Sequence, residues 1–149
     1  MARIDKEIIV DASVERVFGY ITNPSNWPEV WPSLMEIYDL KPLPDGGYIA
    51  SYVYKMAGMR FTGTLEFAEL ELNQWMVINT TGGILSKITV TCRSIEHDKH
   101  KTQVTLTIEY KIPVPLLGKL AEFVILKMND QEASLVMNNL KLRFVMADY

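Results

Sequence analysis

The sequence predicts an α+β fold: one strand, two short helices, a meander of six antiparallel strands and one long C-terminal helix. Three observations carry this. Between residues 34 and 112 apolar residues recur at every second position, and the runs are cut by short glycine, asparagine and polar clusters, the pattern of antiparallel strands joined by tight turns. After Pro115 there is no further proline, and the only glycine is Gly118, so the rest of the chain is free to be helical. Before the meander, helix-spaced apolar residues lead into a stretch holding two tryptophans, each followed by a proline.

The elements follow in order. "RIDKEIIVD" alternates Ile4, Ile8 and Val10 with polar neighbours and reads as a first strand. "ASVERVFGYI" sets Val14, Val17, Phe18 and Ile21 at helical spacing, with Asp11 or Ser13 able to cap its start. Asn23-Pro24 ends that helix, because a residue before proline avoids the helical region. "SNWPEVW" is long enough for one or two helical turns, with Pro28 tolerated in a first turn. Trp27 and Trp31 are four apart and share a face.

The meander then runs through "LMEIYDLKPL", a "PDGG" hairpin turn, "YIASYVYKM", a turn at Ala57-Gly58, and "MRFTGTLEFAELE" with a turn at Asn73. It continues through "WMVINTT", Gly82-Gly83, "ILSKITVTCRSIE", the polar turn "HDKH" and "KTQVTLTIEYKI". In the last of these Val104, Leu106, Ile108, Tyr110 and Ile112 point one way and Gln103, Thr105, Thr107, Glu109 and Lys111 the other. The closing helix is expected over about Pro115 to Val145. About thirty helical residues would span roughly 45 Å, long for a domain this size unless the sheet wraps around the helix. No repeat, low-complexity segment or linker interrupts the chain, which is read as one domain, 1–149.

Composition narrows the function classes. With 48% hydrophobic and 22% charged residues the chain is ordinarily globular. A net charge of −3, with lysines and arginines scattered, argues against nucleic acid, which needs a clustered basic face. The single cysteine, Cys92, forms no internal disulfide and fits a reducing compartment. "MARIDKEIIVD" lacks the apolar core of a secretory signal, and no apolar run is long enough to cross a bilayer. The expectation is a soluble, cytoplasmic protein without membrane insertion.

Catalytic signatures are sparse. "HDKH", with His97, Asp98 and His100, stands without a second ligand-rich segment and reads as a solvated turn rather than a metal site. Cys92 has no partner that would make it a nucleophile. There is no G-x-S-x-G elbow, phosphate loop or dinucleotide fingerprint. Alternation puts Arg60, Thr62, Thr64 and Glu66 on the solvent face of their strand, opposite Met59, Phe61, Leu65 and Phe67. Glu69 and Glu71 follow on or just after the same strand. Lys127 and Asp130 are the helix charges that could come nearest the interior, but a solvated outer helix face is the better reading of them.

The apolar, tyrosine-dotted faces are more informative. Tyr48, Tyr52, Tyr54 and Met56 share one face of a strand; Ile88, Val90, Cys92, Leu106, Ile108 and Tyr110 share faces of later strands. Phe123, Val124, Met128 and Leu135 form a helix stripe, and eight methionines offer adaptable lining. An apolar surface with a few hydroxyls is how small-molecule pockets are built; a filled core would use the same residue types.

This order of elements resembles the START-like, or SRPBCC, superfamily, whose helix-grip fold was first described for the birch pollen allergen. Within it the chain resembles the polyketide cyclase/dehydrase-like family. The resemblance rests on "VDASVERVFGYITNPSNWPEVWPS", "YKMAGMRFTGTLEF", "TLTIEYKIPVPLLGKLAE" and "ASLVMNNLK", and it covers essentially the whole chain. It implies a curved seven-stranded antiparallel sheet gripping the C-terminal helix, a cavity between them, and two short helices closing one end. Trp27 and Trp31 then fasten that helical corner to the sheet near the cavity. The expected cavity wall is Trp27, Trp31, Tyr52, Tyr54, Met56, Ile88, Val90, Leu106, Ile108, Tyr110, Phe123, Val124 and Met128. The implied function is cofactor-free, metal-free binding of a small, largely apolar molecule such as a lipid, polyketide or aromatic metabolite. Two alternatives stay open at this point: a cofactor-free cyclase or dehydratase using the same cavity, and a protein-interaction module with a filled core. The stretch "LAEFVIL" is apolar around more of the helix than one face requires, which suits a helix start buried on two sides, a partner surface or a weak homodimer of an otherwise monomeric chain.

Overall fold

The structure, a computed structural model, describes residues 1–146, with side chains through Val145; residues 147–149, the end of the expected domain, lie outside the described residues. Strand β1 (Ala2–Val10) leads into helix α1 (Val14–Thr22) and a short 3-10 helix (Pro24–Glu29). The meander is β2 (Leu34–Pro42), β3 (Tyr48–Met56), β4 (Met59–Glu71), β5 (Trp75–Gly82), β6 (Ser86–Ile95) and β7 (Asp98–Tyr110). A 3-10 turn (Val114–Leu116) precedes the long helix α2 (Lys119–Met146). The sheet order is β1-β7-β6-β5-β4-β3-β2: the meander runs across the sheet, and the first strand pairs antiparallel with the last.

The turn chemistry works as the sequence suggests. Gly46 and Gly47 have φ of 92° and 75°, and the Ala57-Gly58 and Asn73 turns also take positive φ. The expected second short helix is of the 3-10 kind: Pro24 and Pro28 donate no N–H, and the bonds that close it, Asn26 N to Asn23 O and Val30 N to Trp27 O, are three residues apart. One detail differs from expectation. The "HDKH" segment is not all turn. His97 turns at φ 73°, but Asp98–His100 already belong to β7, and the Asp98 carboxylate accepts the His100 N–H at 2.9 Å.

The long helix is one unbroken element, starting four residues later than expected. Pro113 and Pro115 hold the approach in a 3-10 turn, and Gly118 at φ 148° makes the corner that an L side chain would strain. Register shifts interrupt β2–β3 and β4–β5, and bulges of this kind bend a sheet. The concave face carries Ala50, Tyr52, Leu65, Phe67, Ile78, Ile88, Leu106 and Ile108, all buried, against α2. The helix is tied down along its length. Asp130 takes a salt bridge from Lys6 at 3.0 Å, Asn139 donates to the Val30 carbonyl at 3.0 Å, and the Phe144 ring meets Tyr20 edge-on at 5.6 Å. At the opposite end of α1, Ser13 caps the helix by accepting the Arg16 N–H, and the wholly buried Thr102 hydroxyl donates to Ala12 O at 2.8 Å.

Candidate functional site

Between the concave sheet and α2 lies a hollow of about 700 Å³, its open mouth included. The hollow has room for a molecule larger than water. Its wall is formed by Trp27, Trp31, Tyr52, Tyr54, Met56, Ile88, Ile108 and Tyr110, together with Ile4, Leu34, Leu65, Ile84 and, from α2, Asn129, Glu132 and Ala133. A second, smaller hollow of about 540 Å³, its mouth included, is lined by apolar residues, among them Val90, Leu106, Val136, Met137 and Leu140. Trp27, Trp31 and Ile88 line both, so they form the partition between two chambers.

The two tryptophans are wall and anchor at once. The Trp27 indole N–H donates to Ile21 O at 2.7 Å, locking the 3-10 helix to the end of α1, and its ring stacks on Phe67 at 6.2 Å. Trp31 donates to the Tyr54 hydroxyl at 3.1 Å with the rings edge-to-face at 6.3 Å.

The polar groups of the first hollow fall into two kinds. Tyr52 is spent on structure: its hydroxyl accepts Ile84 N–H at 3.0 Å and lies 3.0 Å from Thr81 O, bracing the β5–β6 turn. The Thr80 hydroxyl likewise bonds Ser86 at 2.6 Å and donates to Ile84 O at 2.8 Å. Tyr54 and Tyr110 differ. Each accepts from a fixed N–H donor, Trp31 for Tyr54 and Asn129 Nδ2 at 2.8 Å for Tyr110, and the Ser33 side chain is a further hydrogen-bonding neighbour of Tyr54. Burial pushes Tyr54 up to about 12 and raises Tyr110, so both are neutral donors at physiological pH. Glu132 stands in the same wall; its Oε1 accepts the Ser33 N–H at 2.8 Å.

The model of the family described as polyketide cyclase / dehydrase and lipid transport matches residues 1–144. The chain belongs to this family. Solved structures share its fold at low identity. A START superfamily protein from Mycobacterium smegmatis is 12% identical with a TM-score of 0.81 over 99% of each chain. A protein from Thermus thermophilus is 18% identical, TM-score 0.73, over 99% of each. The Zhui aromatase/cyclase from Streptomyces sp. R1128 is 12% identical, TM-score 0.71, over 95% of this chain and 94% of that one. No curated protein sequence matches it. The seven-stranded sheet around a long helix is the helix-grip architecture of the START-like superfamily.

Against the expected wall of this polyketide cyclase/dehydrase family member, the structure makes one correction. Phe123, Val124 and Met128 line neither hollow and are exposed, at 67%, 47% and 48%. Lys127 and Asp130 face outward, on the solvated helix face expected for them, with Asp130 paired to Lys6. The inward stripe of α2 is instead Ile125, Asn129, Glu132, Ala133, Val136, Met137, Leu140 and Phe144, all buried or half-buried. Val90 and Leu106 do face inward, but into the second chamber. His97 is exposed in its turn, and among the described residues no three His, Cys, Asp or Glu side chains converge on one point. The Cys92 thiol is buried and pushed up to about 12 by that burial, the opposite of an activated nucleophile. Among the described residues no helix is long and apolar enough to cross a membrane.

Proposed function

We propose that this chain is a single START-like binding domain that holds a small, largely apolar molecule in the first chamber without metal or cofactor, as a monomer or weak homodimer. Lipids, polyketides and aromatic metabolites all have the required chemistry. The observation that carries the reading is the paired tyrosines. In a mostly apolar wall, Tyr54 and Tyr110 each accept from a fixed N–H donor and can turn their own proton toward a ligand. The ligand's polar end is therefore an acceptor, such as a carbonyl. Glu132 in the same wall disfavours an anionic head through like-charge repulsion, which selects neutral ketones and esters over fatty-acid anions. The lone buried thiol suits a reducing, cytoplasmic setting.

The test is titration of a fluorescent apolar probe, competed with a long-chain methyl ketone and with the fatty acid of equal length. Saturable binding with the ketone the better competitor supports the proposal. Tyr54→Phe should weaken ketone competition roughly 2- to 10-fold, the worth of one hydrogen bond. Linear, unsaturable partition of the probe overturns the reading.

One observation favours a second reading, that of a cofactor-free cyclase or dehydratase. Glu132 and the two tyrosine hydroxyls share a wall, so a carboxylate stands ready to take a proton from carbon beside a carbonyl that the tyrosines hold. On that reading Glu132→Gln abolishes turnover of a poly-ketone substrate while probe binding persists; on the binding reading the wild type turns over nothing.

A further inference from the structure

The exposed start of α2 carries an inference independent of the ligand. At one end of the sheet, the β5–β6 turn, the end of β7 and the segment leading into α2 come together. Lys111 N–H donates to Leu85 O at 3.0 Å, Gly83 N–H to Thr62 O at 2.8 Å, and Asn129 reaches Tyr110 at 2.8 Å. Large apolar side chains stand in solvent here: Leu85, Val114, Leu117, Leu120, Phe123 and Val124, with Val114 at 79% and Leu120 at 80% exposure. Leu120, Phe123 and Val124 share one helix face, and Lys127 continues that same row. Exposed apolar side chains gathered at one end of a fold are the kind of surface that marks an interaction site.

The charges around it say which kind. The chain as a whole carries 18 acidic against 15 basic residues. Yet this end gathers Lys111, Lys119 and Lys127 on and before the helix, with Lys55 and Arg60 paired across the β3–β4 hairpin. None of these five cations joins an ion pair among the described residues. Glu122 is the one acidic residue on the first turn of α2, and Glu109 on β7 is taken up by Arg3. A second copy of this chain does not suit the patch, because a twofold contact would set each cluster of cations against itself.

We infer that this end docks peripherally on an anionic lipid bilayer, with Leu120, Phe123 and their neighbours entering the headgroup–acyl boundary and the cations facing lipid phosphates. Apolar side chains combined with lysines are how interfacial helices hold such surfaces, each cation adding its own attraction to a negative leaflet. Ile4, Ile84, Ser86 and Tyr110, which line the first chamber, lie at the same end, so docking brings the chamber beside the acyl region.

Sedimentation with vesicles of phosphatidylcholine, with and without phosphatidylglycerol, tests this on the full chain. The expected result is binding to the anionic vesicles, little to the neutral ones, and a steep loss as salt rises. The double variant Leu120→Ser, Phe123→Ser should lower binding roughly tenfold or more, given the apolar area withdrawn, with an unchanged melting midpoint because both positions are exposed. Lys111→Glu with Lys119→Glu should abolish the preference for anionic vesicles. Absence of sedimentation with either vesicle overturns the proposal, as does equal binding by these variants. Light scattering that shows a dimer in the wild type and a monomer in the serine variant reassigns the face to self-association and also overturns it.

Discussion

Trp31 donates its indole N–H to the Tyr54 hydroxyl at 3.1 Å, and that one bond joins the helical corner to the polar wall of the chamber. It fixes the indole as part of the partition and fills one acceptor site of Tyr54, whose own proton can turn toward a ligand. Trp31→Phe keeps an aromatic ring but removes the N–H. It is expected to cost about 1 kcal/mol in denaturant unfolding and to weaken probe binding as well, because the hydroxyl is then free to turn. Unchanged stability together with unchanged affinity contradicts this role.

Gly63 on β4 is predicted to tolerate no side chain. A Cβ there would lie 1.9 Å from Thr81 O and 2.7 Å from the Tyr52 hydroxyl, within the network that braces the β5–β6 turn. The nearer obstacle is backbone, which cannot swing aside. Gly63→Ala should destabilise at or beyond the upper end of the roughly 1–3 kcal/mol typical of overpacking. A melting midpoint equal to wild type contradicts it.

Alkaline pH should unfold the protein through its buried acids. Burial pushes Tyr54 from 10.0 up to about 12 and Cys92 from 9.0 up to about 12. A raised folded value means the neutral form is favoured by folding, so this stability is complete below the unfolded values and is lost as pH rises toward 12. Chemical-denaturant unfolding should therefore be nearly flat through neutral pH and fall steeply between about 9 and 12, less steeply in Tyr54→Phe. Tyrosine ultraviolet absorbance that titrates entirely near pH 10 with the fold intact contradicts this.

The strands and their turns were legible because each strand has one wet and one dry face. In β7 the alternation of Val104, Leu106, Ile108 and Tyr110 with polar residues is unbroken, and the structure buries each of the four. The helix was legible in extent but not in rotation. Leu120, Phe123, Val124, Leu126 and Met128 are apolar yet exposed, while two of the inward positions are Asn129 and Glu132, so the apolar pattern around α2 no longer distinguishes its faces. The helix side of the chamber's polar wall was hidden for the same reason: Asn129 and Glu132 are residues that periodicity assigns to solvent. A signal did exist. Asn129 and Glu132 are three apart and flanked by Ile125 and Ala133, so they ride the same ridge as the buried residues. Likewise, the partition by Trp27, Trp31 and Ile88 depends on the 3-10 corner meeting β6, a tertiary contact with no local signature.

Native mass spectrometry of the protein as purified should show a fraction carrying a small organic molecule that Tyr110→Phe retains less well. Identical occupancy in that variant contradicts the assignment of Tyr110 as a ligand donor.

Whether the interior is a working cavity is decided by Ile88→Trp, read by denaturant unfolding and probe titration on the same sample. Ile88 is buried on β6 and borders both chambers, so a larger ring there has empty space to enter. In a filled core the added volume would cost about 1–3 kcal/mol or more. In the hollow one, apolar burial offsets the strain. The expected result is stability within about 1 kcal/mol of wild type and loss of saturable probe binding, while Thr105→Trp, on the opposite face of β7, binds normally. Unfolding of Ile88→Trp, or a folded variant that still binds the probe with wild-type affinity, contradicts a ligand-holding interior.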